Sequence, residues 1–555
     1  MRYLLFTALA LVLLVGAASA LPSEVAQTIV ATASGGDLSQ EAYQSAEVAG
    51  EGAVLTQGIE VSAEGTGEVA QEADNYGYAD GAASVVTQGI TMEATGENVY
   101  QNLLTYGNYA EVFGEGAILG QYMALAAAAE EYLYQYAQND ASTVGDGIVN
   151  TQGIAQAGAA GGEINQYAYN DASVWGIGTT TTQGIALAAT SVDGWIYQDV
   201  WNDADPDAGS LANQEIALAA ATGGDIDQDA YNYAYFYGDG AVALQAVGMD
   251  ADAGGYADQY GYNYADMGDY DTIMVDQSAT LNAVAGTWIW QEFYNDNEYA
   301  GSNTVSDQAI TMSGTAGTWI DQYMGNLFWD WGTVSDVSQV LTAAAYAGDG
   351  YAYQDAGNGI ISYGEDIASQ SIFLDAVATE DVTQYGYNYA DSLDNLDLGQ
   401  EVWLGGEGAF VYQEADNEAF FGDAVDVAQY IALTGISDDE GVVQLADNNA
   451  ENMYALGGSS NMIGQAITGA ATGGDYSSQY FENDCDAEYN LLAPSSYTIT
   501  QDNIATLAAN DEAYQELYNG IDWYAWNTGS IAWNINGFAS ADYVYQYHEN
   551  LVEII

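Results

Sequence analysis

Positive charge is what this chain most lacks: its 555 residues include one Lys or Arg, against 80 Asp and Glu. The one strong cation is Arg2, and the one histidine is His548. Nucleic-acid binding depends on Lys and Arg neutralising phosphates, so it is excluded on this ground. Attraction to anionic lipid heads fails for the same reason. Cysteine occurs only at Cys485, so no internal disulfide framework exists and stability must come from packing and hydrogen bonding. Two readings of Cys485 stay open: a small apolar side chain, or an intermolecular cross-link. Proline occurs three times, too rarely for a Pro-rich linker protein. Catalysis lacks its usual tools, with no Lys or Arg other than Arg2 to stabilise an anionic transition state and a single His late in the sequence. No enzyme is expected.

What is present is apolar and small. Hydrophobic residues make up 49% and aromatics 12%, more than a solvated acidic tail carries, and 64 glycines suit a regular backbone with many tight turns. Residues 1–20, MRYLLFTALALVLLVGAASA, combine one basic residue, an apolar run from Leu4 to Val15 and the small-x-small site Ala18-Ser19-Ala20. This predicts a secretory signal peptide and an exported chain. No later segment approaches the ~20 apolar residues that span a bilayer, so membrane insertion is not expected.

Glutamine recurs on a near-constant period. A first series runs through Gln57, Gln88, Gln152, Gln183 and Gln214, with most intervals 30 to 32 residues and surroundings such as TQGIALAA from Thr182 to Ala189. A second series, including Gln166, Gln228, Gln259 and Gln384, follows each first Gln by 13 to 15 residues. An Asn follows the second Gln by four residues in 15 of 17 copies, as at Asn170, Asn232, Asn263 and Asn388; Gln40 and Gln101 are the exceptions. In the last copy Asn534 takes the first role and Gln546 the second. Both segments alternate with period two. In Ile226 to Ala234 one face carries Ile226, Gln228, Ala230, Asn232 and Ala234, and the other carries Asp227, Asp229, Tyr231 and Tyr233. Glycine-rich acidic stretches such as ATGGD supply the arcs between them.

The predicted fold is therefore all-β: a repetitive β-solenoid or stacked β-arch array, two strands per ~31-residue repeat and about 17 rungs, with amyloid-like Gln and Asn ladders. Residues 21–519 hold sixteen copies, and 520–555 a degenerate seventeenth with C-terminal strands. A lone buried amide costs ~1 to 3 kcal/mol, whereas a column of them is mutually satisfied. The column also fixes register, because a one-residue slip would send Gln and Asn outward.

Segments such as IDQYMGN, INQYAYNDA and VTQYGYNYA resemble curlin repeats, although the units here are longer and the Gln-to-Asn spacing is one residue tighter. That resemblance implies a secreted functional amyloid stabilised by inward Gln and Asn ladders. The acidic, Tyr/Gly/Ala-rich composition is also similar to the sheath-fibre proteins of filamentous methanogenic archaea, which implies a protein tube enclosing cells.

The acids amount to just under five per repeat. They predict cation binding: either diffuse screening, or Ca²⁺ or another divalent ion bridging carboxylates, with Asp227, Asp229 and Asp239 as candidates. Tyr169, Tyr231, Tyr233, Tyr262, Tyr264, Tyr387 and Tyr389 fall on the outward face of the second strand and predict a lateral aromatic interface. The expected partner is another copy of the chain, bound head-to-tail and laterally, and the expected function is an extracellular fibre or tubular cell sheath. The alternative is a secreted acidic adhesin or cation-binding surface-layer protein.

Overall fold

The computed structural model describes residues 24–102, 107–268, 273–299, 303–330, 334–392, 396–422, 425–452, 460–487, 496–523 and 528–554. The leader expected at 1–20 lies outside these. The described residues are all-β, with 86% strand, no helix and about 16 turns of ~31 residues in a parallel β-solenoid. No helix of the described residues is long and apolar enough to cross a membrane. The residues group into two compact units, Met1–Ser278 and Ala279–Ile555.

Each repeat contributes two strands, and each strand pairs in parallel with its counterpart one turn away, so both units carry two stacks of strands. The strand Thr180–Ser191 illustrates the first stack: it pairs with Val149–Ala160 on one side and Leu211–Thr222 on the other, setting Gln183 between Gln152 and Gln214. In the second, Ile196–Pro206 lies between Glu163–Trp175 and Ile226–Tyr235, with Gln198 between Gln166 and Gln228. Burial alternates strictly along these strands, and the Gln-bearing face is the buried one. Between the stacks lie side chains such as Leu55, Val86, Leu119 and Ile148, packed against Val112 and Val174. The alternation that the sequence shows is thus the alternation of core and surface.

Repeated arcs need glycine where successive turns touch. Gly81, Gly114, Gly145 and Gly176 adopt φ between 146° and 150°. Gly114 donates its N–H to the Val144 carbonyl at 2.9 Å, and a Cβ at this position would stand 2.1 Å from the Gly81 carbonyl oxygen. Only a residue without a side chain permits both the backbone conformation and the close stacking.

Candidate assembly surfaces

The interior is organised by three columns of amides. In the unit Met1–Ser278 the first column runs from Gln27 to Gln277, each Nε2 donating to the Oε1 of the glutamine one turn earlier; Gln57 to Gln27 is 3.1 Å and Gln183 to Gln152 is 2.9 Å. The second runs from Gln40 to Gln259 in the same sense, with Gln228 to Gln198 at 2.7 Å. The asparagine column, Asn75 to Asn263, runs the other way: Asn232 Nδ2 donates to Asn263 Oδ1 of the following turn at 2.9 Å. In the unit Ala279–Ile555 the same three columns run from Gln308 to Gln501, Gln291 to Gln546 and Asn295 to Asn550.

The remaining amide hydrogens cross the core. Gln214 donates to the Asn202 and Tyr233 carbonyls at 3.1 and 2.8 Å, and Gln384 to the Gly405 carbonyl at 2.9 Å. These bonds use the second lone pair of carbonyls that also serve the strand ladders, so the two stacks are tied together at every turn. The columns' opposed senses partly offset one another's dipoles. All the glutamines and asparagines selected from the sequence are buried members: Gln57, Gln88, Gln152, Gln183 and Gln214 in the first column, Gln166, Gln228, Gln259 and Gln384 in the second, Asn170, Asn232, Asn263 and Asn388 in the third.

Sequence spacing missed several members. The copy at Gln101 has no Asn four residues on, yet Asn108 fills its place between Asn75 and Asn139; the NYA triplet at Asn108–Ala110 was the available signal. Asn503 stands out in sequence as a polar residue where others are apolar. It bridges the core, accepting from Asn483 and donating to Asn519 at 3.1 Å each. Asn534 does not take the ladder position expected of it. Trp533 stands opposite Gln501, and Asn534 faces out opposite Asp502. The run Ile531, Trp533, Ile535 sets the inward phase, and apolar pattern decides register. Trp533 ends the first column, leaving Gln501 Oε1 buried without a partner.

The outward tyrosines lie where expected but do not form one uninterrupted wall. Tyr169, Trp201, Tyr231 and Tyr262 occupy one position in successive turns of the first unit. Rings in neighbouring turns pack at 5.2–5.8 Å, as for Trp201 with Tyr231 and Tyr233 with Tyr262, and Tyr262 stacks on Tyr264 at 6.0 Å. Tyr387 pairs with Tyr389, which packs on Phe420, whereas Gly325 and Gly357 interrupt the column below them. Stacking along the axis already half-buries these rings, so they cover part of their own apolar surface.

Their hydroxyls do a second job. The described residues include no Lys or Arg, and carboxylates take phenol donors instead: Tyr169 donates to Asp199 at 3.0 Å, Tyr197 to Asp229 at 3.1 Å, Tyr412 to Glu414 at 2.7 Å and Tyr387 to Glu418 at 2.5 Å. Burial, then nearby carboxylates, push the hydroxyls of Tyr169 and Tyr197 far above the ordinary range and keep them protonated. The acids are raised as well. Asp227 reaches about 7, from burial and then from Asp229 and Asp258; Asp229 reaches about 6, chiefly from burial, with the Tyr197 hydroxyl opposing it.

The three candidate cation ligands are not brought together. Asp227 and Asp229 share the outward face of Ile226–Tyr235. Asp239 lies beyond the far end of that strand, with its backbone carbonyl accepting from Gly209; six strand residues alone separate them by roughly 20 Å. No group of three or more His, Cys, Asp or Glu able to hold a metal ion occurs among the described residues. Cys485 is fully buried in register with Ala450 and Ile521, and burial pushes its thiol up. It fits the small apolar reading, and reaching a second chain would require its turn to open.

The first stack presents a different surface. Ala126, Ala157, Ala188 and Ala219 occupy one outward position in four successive turns and are exposed, a methyl-lined patch bounded in the same column by Glu93 one turn before and Asp250 one turn after. Comparison with protein-family models, curated proteins and solved structures finds no match for the chain.

Proposed function

We propose that this chain is an exported structural protein that assembles with copies of itself into an extracellular amyloid-like fibre or tubular cell sheath, its acidic surface holding cations between copies. The observation that carries this reading is the set of amide columns. They pass from turn to turn through each unit, while the strands of the first and last described turns pair on one side only. An unpaired parallel edge is a template for another strand. Among the described residues the interior is filled by stacked side chains. The alanine patch offers close sheet-to-sheet approach for lateral contacts, and the carboxylates at its borders, Glu93, Glu215 and Asp250, would need counter-ions between copies.

The test is electron microscopy and fibre diffraction of the purified mature chain, with and without Ca²⁺. Filaments or tubes with a 4.7–4.8 Å axial spacing are expected. Particles that stay monodisperse at every pH and cation concentration would overturn the assembly reading, and assembly indifferent to a chelator would remove cation bridging from it.

A further inference from the structure

A junction between copies rests on the self-assembly reading, which leaves open which edge meets which. Four strands at the ends of the described chain pair on one side only: Glu24–Gly35 and Leu38–Ala49 in the first turn, Thr528–Ser540 and Tyr543–Ile554 in the last. The direction of the amide columns makes these two edges complementary. The second glutamine column donates toward lower residue numbers, so Gln40 brings an Nε2 donor to the first-turn edge and Gln546 an Oε1 acceptor to the last-turn edge. The asparagine column donates the opposite way, so Asn550 brings an Nδ2 donor to the last-turn edge. At the first-turn edge that column's place is held by Gln44, in register with Asn75. Gln44 Nε2 donates to the Gly58 carbonyl at 2.8 Å, while its Oε1 is buried without a partner. A buried acceptor left unmatched costs stability, and a donor arriving from outside removes that cost.

We propose that the last-turn edge of one copy seats on the first-turn edge of a second, with Tyr543–Ile554 parallel to Leu38–Ala49 in the register that sets Gln546 on Gln40 and Asn550 on Gln44. The same register places Val544 on Leu38 and Val552 on Ala46, apolar on apolar along the inward face, with His548 on Ala42 as the one further polar side chain there. On the outward face it sets Tyr547 beside Glu41 and Glu549 beside Tyr43, the phenol–carboxylate pairing that recurs within the chain; only Glu553 on Glu47 opposes like charges. In the other stack Ile535 falls on Ile29 and Ala539 on Ala33, while Trp533 meets Gln27. The first glutamine column is therefore interrupted at the junction and the second continues through it, while the asparagine column of one copy ends on Gln44 of the next, whose Nε2 bonds the Gly58 carbonyl and not Asn75. Because different surfaces meet, the contact is heterologous and propagates as an open polymer.

The register is tested by mixing two single-cysteine chains, both carrying Cys485→Ala. One bears Ser39→Cys and the other Tyr545→Cys; both sites are exposed, so the fold is retained, as circular dichroism checks. These positions stand directly opposite in the proposed register, within disulfide reach. Assembly followed by oxidation gives a linked heterodimer. Ser39→Cys mixed with Tyr547→Cys, offset by two residues and about 7 Å along the strand, gives at least tenfold less. Filaments that cross-link equally in both mixtures, in neither, or only as Ser39→Cys homodimers would overturn the register while leaving self-assembly standing. Failure of the unsubstituted chain to form filaments under any condition would remove both.

Discussion

A buried amide stabilises this fold only where the turns above and below supply its partners, and individual positions show both cases. Gln183 bonds Gln152, the Asn170 carbonyl and the Asp203 carbonyl, and accepts from Gln214. Gln183→Leu strands groups on both sides and is expected to lower stability by roughly 2–4 kcal/mol in denaturant unfolding. Asn150 is buried with both amide atoms unpartnered, next to Thr181, whose hydroxyl is also unpartnered; Leu119 holds the same position one turn earlier. Asn150→Leu is expected to raise stability by about 1–2 kcal/mol, the opposite sign for the same chemical change. A fall on both substitutions would show that inward amides are valued for something other than their partners. Cys485, walled in by the core, is expected to resist thiol-specific labelling in the folded chain and to react once denaturant opens its turn, with the modified fraction read by mass spectrometry.

At the level of the strand and the arc, period-two alternation and most of the placement of Gln and Asn are legible in the sequence, because a two-faced strand must repeat its core face in every copy. What escapes is anything that depends on loop length or on a neighbouring turn. Asn108 joins its column although it follows Gln101 by seven residues instead of four, since the number of intervening residues can vary while the paired residues stay in register. Asn534 falls outside its expected column because the apolar run around it, and not the amide itself, sets the inward phase. Composition suggests that glycine shapes the arcs. It does not single out Gly114, which depends on a contact with the preceding turn. Gly114→Ala is expected to cost about 3 kcal/mol, from a disfavoured backbone conformation and a clash with the Gly81 carbonyl, whereas the exposed Gly116, whose Cβ would meet nothing, is strained by its φ alone and is expected to cost less. Equal losses at both would rule out stacking as the source.

Over the whole molecule a formal charge of −79 has almost nothing of opposite sign to meet, and the fold responds by holding part of it protonated. Asp140, Asp203, Asp229 and Asp416 are raised to about 6, and Asp227 and Asp447 to about 7, in each case chiefly by burial. An unfolded aspartate titrates near 4, so between about pH 4 and 7 the unfolded chain releases protons that the folded chain keeps. Stability from these groups is complete below about pH 4, declines as pH rises, and levels off above about 7. Thermal unfolding followed from pH 4 to 8 is expected to show Tm falling between about pH 4 and 7 and levelling off above, and a Tm that rises over the lower interval would contradict the titration assigned here. Residue type and spacing announce the acidity, but which carboxylates are shielded depends on how tyrosines and neighbouring turns cover them. Each of these effects requires the columns to exist in solution as mutually bonded amides. Hydrogen exchange at the side-chain amide of Gln228, which donates to Gln198 and to the Asp250 carbonyl, tests that most directly by NMR. Protection comparable to the strand backbone is the result predicted, and exchange at the rate of a free glutamine would contradict it.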